Sequence, residues 1–290
     1  KMVTYFTDTD TDITPAEAQK YGYKLISMPY SAEGKTVYPY VDFEKFDCKG
    51  FYDTLRGGVM PVTSALTKEA YIEYFEPEFK AGNDIFYVHF SAAMTATFDF
   101  MKLALYELKE KYPERKFYEV DTKGITICSY NAVCEIGDLI LKGATPEEIL
   151  EWASTGIDKV ATYFFADDLK FFARSGRVSG IAATMGNLFG VRPILTMDEN
   201  GVMKSVGKER GRDNAINRLV EYVETLGEDL ENHRFIIGHS DALPLVEKIK
   251  EKLIAKFGDK LNFVIVEVNP TAGSHCGPST LGISFHAKHR

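Results

Sequence analysis

The chain alternates between stretches with an apolar residue at every second position and stretches with one at every third or fourth, the periods of strands and of amphipathic helices. The spacing predicts a first strand over 3–7, then the acidic run Asp8-Thr9-Asp10-Thr11-Asp12 and a helix beginning at Pro15. Thr14 reads as its N-cap, with Pro15 at the first helical position, Glu17 completing a capping box, and Gly22 as the stop. Residues 24–30 and 35–38 read as a hairpin about Glu33-Gly34, and 43–55 and 68–80 as helices. A β-branched and aromatic run predicts a strand over 84–90, followed by a helix over 94–112, a strand over 116–120 and a mostly apolar helix over 125–142. Strands alternating with helices predict crossovers and a largely parallel sheet.

Further on the pattern changes. Helices are predicted over 147–159, 169–175, 182–189, 213–226 and 243–257, and strands over 161–166, 234–239, 262–268 and 282–286. A hairpin joins 192–197 to 202–208 about Glu199-Asn200-Gly201. Hairpins mixed with helices predict an α+β arrangement. The expected organisation is an α/β fold class in two domains: 1–155, α/β with a largely parallel sheet, and 156–290, α+β, with a linker near 154–156.

Composition narrows the function classes. At 290 residues, 45% hydrophobic and 26% charged, the chain reads as an ordinary globular protein rather than a disordered or collagenous one. The formal charge of −8 repels phosphate backbones and argues against a nucleic-acid partner. No run approaches the length of a membrane span, so no stable membrane insertion is expected. No basic stretch leads into an apolar run near the start, which predicts no signal peptide and a cytoplasmic location. Cys48, Cys128, Cys134 and Cys276 form no C-x-x-C pair and read as four free thiols.

Three features carry candidate chemistry. Asp8, Asp10 and Asp12 resemble the start of a calcium loop, but the positions that need Gly and Glu hold Ile13 and Gln19, which leaves turn chemistry. Gly238-His239-Ser240-Asp241-Ala242 looks like a nucleophile elbow, with Asp259 and His275 following in hydrolase order. Against it, Ala242 stands where the sharp turn favours Gly, and Asp259 follows Ser240 by little more than one helix; Ser240 or Asp241 capping the next helix is the plainer reading. The third feature is a set of hydroxyl residues at strand ends: Thr63 and Ser64 in a loop, Ser91, then Thr95 and Thr97 opening a helix, with Gly273-Ser274-His275-Cys276-Gly277-Pro278 as a Gly-flanked loop. Such groups at the carboxyl ends of strands make a receptor for a small anion.

Eight segments in series carry a resemblance: Phe6-Thr7-Asp8, Pro61-Val62-Thr63-Ser64, Ser91-Ala92-Ala93-Met94-Thr95-Ala96-Thr97, Phe172-Ala173-Arg174-Ser175-Gly176-Arg177-Val178, Arg192-Pro193-Ile194-Leu195, Lys208-Glu209-Arg210-Gly211-Arg212, the segment around Ser240 and the one around His275. Together they resemble the DegV family of bacterial fatty-acid-binding proteins over nearly the whole chain. The resemblance implies a long-chain fatty acid held in a buried tunnel as the only ligand, no metal or other cofactor, and no catalysis by the chain itself. It also implies a separate fatty acid kinase as partner, which receives the acyl carboxylate and makes an acyl phosphate for phospholipid synthesis.

The same resemblance implies roles for residues. Thr63, Ser91 and His275 match the carboxylate-binding positions, with Ser64, Thr95 and Gly277 beside them. Arg174 and Arg177 stand at the head-group mouth and Arg210 at a kinase contact. Phe165, Ile181, Met185, Phe189 and Ile194 are available as tunnel lining. Two motifs depart from the family pattern: Thr95-Ala96-Thr97 stands where Ser-Gly-Thr is usual, and His275-Cys276-Gly277-Pro278-Ser279 where His-Thr-Gly-Pro-Gly is usual. The competing expectations are a Ser/His hydrolase using Ser240 or Ser91 with His275, and a binder of small carboxylates or phosphates without lipid.

Overall fold

In the computed structural model, which describes residues 2–177 and 190–290, four parallel strands open the chain: β1 (Val3–Asp8), β2 (Tyr23–Ile26), β6 (Asp84–His89) and β7 (Phe117–Asp121), in the order β2-β1-β6-β7. β6 is buried along its whole length, as expected of a central parallel strand covered on both faces. A small antiparallel sheet, ordered β4-β3-β5, is made by β3 (Tyr30–Ala32), β4 (Lys35–Val37) and β5 (Val62–Thr63). The third sheet holds β8 (Val160–Phe165), β9 (Val191–Met197), β10 (Met203–Arg210), β11 (Arg234–His239), β12 (Asn262–Glu267) and β13 (Leu281–His286). Its order is β10-β9-β8-β13-β11-β12, antiparallel except for β11 with β12. The mixed α/β class expected from the pattern is present.

Local chemistry explains most boundaries. The capping box at Thr14 and Glu17 forms, and helix Pro15–Tyr21 ends at Gly22 with φ +83°. The strand predicted over 24–30 breaks after Ile26, where Ser27 and Met28 donate their N–H groups to Tyr74 Oη and Thr9 Oγ1 and Pro29 has none. The helix predicted from 43 starts only at Cys48, because Asp47 caps it by accepting from Gly50 N–H. The segment 273–278, expected as a loop, largely belongs to helix Pro270–Cys276, capped by Asn269 with Pro270 in its first turn. The expected linker at 154–156 lies in the last turn of helix Pro146–Gly156.

Helix Ile127–Leu141 is buried along most of its length. It packs against Phe86 and Val88 of the parallel sheet and also against Ile236 and Val266 of the third sheet, so it needs apolar residues nearly all round. The third sheet has two unlike faces. Ala161, Tyr163 and Phe165 of β8 and Ile194 of β9 pack under helices Arg212–Leu226 and Leu243–Phe257. Val160, Phe164, Leu195 and Met197 point the other way, toward Phe172, Met203, Val268 and helix Pro270–Cys276. The candidate site lies on that second face.

Candidate functional site

β5 pairs Thr63 with Tyr30, and helix Pro270–Cys276 carries His275 in its last turn. Thr63 Oγ1 and His275 Nε2 meet at 2.8 Å although 212 residues separate them. Both supports are fixed. Asp12 Oδ1 accepts from Asn269 N–H and from its side-chain amide, each at 2.8 Å, which anchors the helix start. Thr271 donates to the Met28 carbonyl at 2.7 Å, tying the same helix to the segment before β3. Burial lowers the His275 pKa to about 3, helped by the Arg177 and Arg174 cations, so the ring is neutral and carries one N–H.

A polar pocket surrounds the pair. Thr63, Ser64, Thr95, Thr97, Arg177, His275 and Asp10 line it, with Met94 and Ile125 among its apolar walls. Thr95 Oγ1 accepts from Thr97 N–H at 3.0 Å, and a hydroxyl so engaged still has its own proton to donate. Thr97 Oγ1 is taken by Leu66 N–H and the Tyr71 hydroxyl. Half-buried Arg177 donates to the carbonyls of Met94 and Ser175.

Met94, Ile125, Arg177 and His275 also line a second cavity, so the two cavities adjoin along these residues. That chamber is narrow, with a cavity volume of about 50 Å³, and its walls are made by Ile127, Phe164, Phe172, Met203, Val268, Ala272 and Cys276. Gly238 and Gly282 are paired across β11 and β13 and both line it. A Cβ at Gly238 would come within 2.4 Å of Ile127, and one at Gly282 within 2.9 Å of Phe164, so only glycine lets these side chains pack there.

The expected site residues sort unevenly against this geometry. Thr63, Ser64, Thr95, Arg177 and His275 come together as one wall. Ser91 does not join them: it is fully buried, donates to the Gly201 carbonyl at 2.7 Å, and lines neither cavity. It fastens the β9–β10 turn, whereas Thr95 lines the polar pocket. Arg174 is exposed and reaches back to the carbonyls of Met60 and Pro61, holding the segment that leads into Thr63. Gly277 faces no ligand space either; at φ +74° it caps the helix, its carbonyl accepts from Ser240, and a Cβ would lie 2.3 Å from the Phe171 ring. Arg210 ends β10, exposed, and lines neither cavity.

The lining residues are corrected by strand parity. Phe165 and Ile194 face the helices on the far side of the third sheet, and Phe164 faces the chamber in their stead. Ile181, Met185 and Phe189, with the helix expected over 182–189, lie outside the described residues. Cys276 is a wall residue whose thiol burial pushes up to about 12, so it is not a thiolate.

The elbow arrangement is not assembled. Ser240 is fully buried, donates to the Gly277 carbonyl and accepts from Thr280 N–H, each at 2.7 Å, while His275 is engaged with Thr63. Asp259 is exposed beyond helix Leu243–Phe257. Neither Ser240 nor Asp241 caps that helix; Ala242 holds the cap position, and Asp241 pairs with Arg56. Among the described residues no group of three His, Cys, Asp or Glu is placed to hold a metal ion. Asp8 and Asp12 do perform turn chemistry, but Asp10 lines the pocket, a placement that alternation alone did not reveal.

Known proteins share this framework. Residues 3–288 match the model of the family described as "Uncharacterised protein, DegV family". A DegV domain-containing protein of Clostridium perfringens is 28% identical, over 98% of this chain and 97% of its own. The structure of a fatty acid binding DegV family protein from Streptococcus agalactiae superposes with a TM-score of 0.85 at 23% identity, covering all of both chains. That of a DegV family protein from Eubacterium eligens loaded with heptadecanoic acid gives 0.82 at 20% identity, over 99% of this chain and all of its own.

Proposed function

The chain belongs to the DegV family, and we propose that it holds a long-chain fatty acid with its carboxylate in the polar pocket and its tail in the apolar chamber. One observation carries this: a pocket of hydroxyl, imidazole and guanidinium groups shares a wall with an apolar chamber. The two demands of a fatty acid are met separately. Burying a methylene is worth about 0.8 kcal/mol, so roughly 15 of them contribute on the order of 12 kcal/mol before the costs of association. The carboxylate must regain the hydrogen bonds that it leaves in water. Thr63 and neutral His275 share one hydrogen bond at the pocket wall; Thr95 adds a second hydroxyl and Arg177 the positive charge.

The fatty acids reported with solved DegV proteins support the same assignment. Relative to the alternatives, Ser240 is committed to the backbone, which disfavours a hydrolase, and a binder of small anions has no use for the chamber. The chain acts as a cytoplasmic, non-enzymatic carrier of two domains that presents its lipid to a separate fatty acid kinase, with exposed Arg210 in the contact. Mass spectrometry of lipid extracted from the denatured protein tests the first part: a stoichiometric long-chain fatty acid is expected, and empty extracts combined with no uptake of added lipid would refute it. Arg210→Ala is expected to retain lipid while slowing its phosphorylation by the kinase; unchanged phosphorylation would remove Arg210 from the contact.

A further inference from the structure

The acidic run that ends β1 supplies three buried carboxylates, two of which accept hydrogen bonds from the fold. Asp8 accepts from Asp10 N–H and from the Tyr87 hydroxyl, and Asp12 Oδ1 accepts from both nitrogens of Asn269. Asp10 has no such post. It is only 5% exposed, its Oδ1 finds no hydrogen-bond partner among the described residues, and it lines the polar pocket with Thr63, Thr95, Arg177 and His275. A buried carboxyl oxygen without a partner is costly, and one placed on a cavity wall is satisfied by what enters the cavity.

The surroundings decide the form in which Asp10 does so. Arg177 is the facing cation and His275 is neutral. Asp8 and Asp12 flank Asp10 in its own turn, and the hydroxyls of Tyr71 on helix Lys68–Lys80 and Tyr87 on β6 are within its electrostatic reach. Burial first, then the charges of Asp8 and Asp12, hold its carboxyl well above the ordinary carboxylate range, with Arg177 pulling the other way.

We propose that Asp10 receives the ligand as a carboxylic acid, donating its O–H to the anionic head group, so that fatty acid binding is coupled to one proton. This rests on the fatty acid assignment above. With Asp10 ionised, two like charges would share one small cavity, and the complex forms only by taking a proton from solvent. The sign follows: affinity is level at pH values where free Asp10 is protonated, and Kd rises by up to about tenfold per pH unit once it ionises.

Delipidated protein titrated calorimetrically with decanoate and, in parallel, with decane-1-sulfonate between about pH 6 and pH 10 tests this, because the sulfonate stays anionic throughout. In the wild type Kd is expected to climb for both probes at the alkaline end. Asp10→Asn keeps a neutral donor of the same shape and is expected to bind with a flat profile; Asp10→Thr, also a neutral donor, serves if the first variant fails to fold. A flat wild-type profile, or a variant that reproduces the wild-type slope, overturns the coupling. Absence of decanoate binding by the wild type at every pH refutes the fatty acid assignment itself and is seen without any variant.

Discussion

The two cavities that meet at His275 are built on opposite plans. The chamber is made by parity and absence: alternate residues of β8, β9 and β10 turn Phe164 and Met203 toward helix Pro270–Cys276, and the paired glycines Gly238 and Gly282 leave room for Ile127 and Phe164. The pocket is made by convergence: Thr63 from β5, Thr95 before a helix, His275 at the end of another and Arg177 after a third; Thr63, His275 and Arg177 are tied to distant parts of the chain, and Thr95 locally to Thr97 N–H. Apolar burial is strong but without direction, whereas a few oriented donors give direction with modest net energy. Under the proposed function, affinity and orientation have separate sources, and they should fail separately.

The hardest blow to that separation comes from filling the chamber. Ala272→Trp places an indole where the tail would run and is expected to cost more than about 100-fold in palmitate affinity, with the fold retained by circular dichroism; undiminished binding would put the tail elsewhere. Thr63→Val removes the hydroxyl that is bonded to His275 and proposed to meet the carboxylate. Its expected cost is about 1–3 kcal/mol, roughly 5- to 150-fold in Kd by calorimetry, and no change would separate the head group from the Thr63–His275 pair. A homologous series of fatty acids sharpens the contrast: each added methylene should tighten binding about fourfold until the chamber is full, and Thr63→Val should shift the whole line without changing its slope. The smallest effect is the control. Ser91→Ala leaves the Gly201 carbonyl short of a donor and should lower stability by about 1 kcal/mol in thermal unfolding, with affinity unchanged within about twofold.

Much of this was legible in the sequence, for reasons that also mark the limit. Alternation and capping signals placed most strands and helices, because the period of a half-buried helix and the chemistry of Thr14-Pro15 act locally. The run of motifs brought Thr63, Arg177 and His275 into one site. What failed depended on direction across the fold. β8 is apolar on both faces, so nothing in Phe164-Phe165 says which ring meets the chamber and which the helices. Ser91 and Thr95 are both small hydroxyls near a helix start, and only the turn at Gly201 decides that Ser91 is consumed. Ser240 reads as a nucleophile in isolation because its partners, Gly277 and Thr280, lie some 40 residues further along. Asp10 was hidden in an acidic run whose neighbours do serve the turn.

A crystal structure with ω-bromododecanoate bound would locate head group and tail at once. The anomalous bromine peak is expected inside the chamber among Phe164, Phe172 and Met203, with the carboxylate density against Thr63 and Thr95. Bromine beside Thr63 and His275, or density outside both cavities, would contradict the proposed placement of head group in the pocket and tail in the chamber.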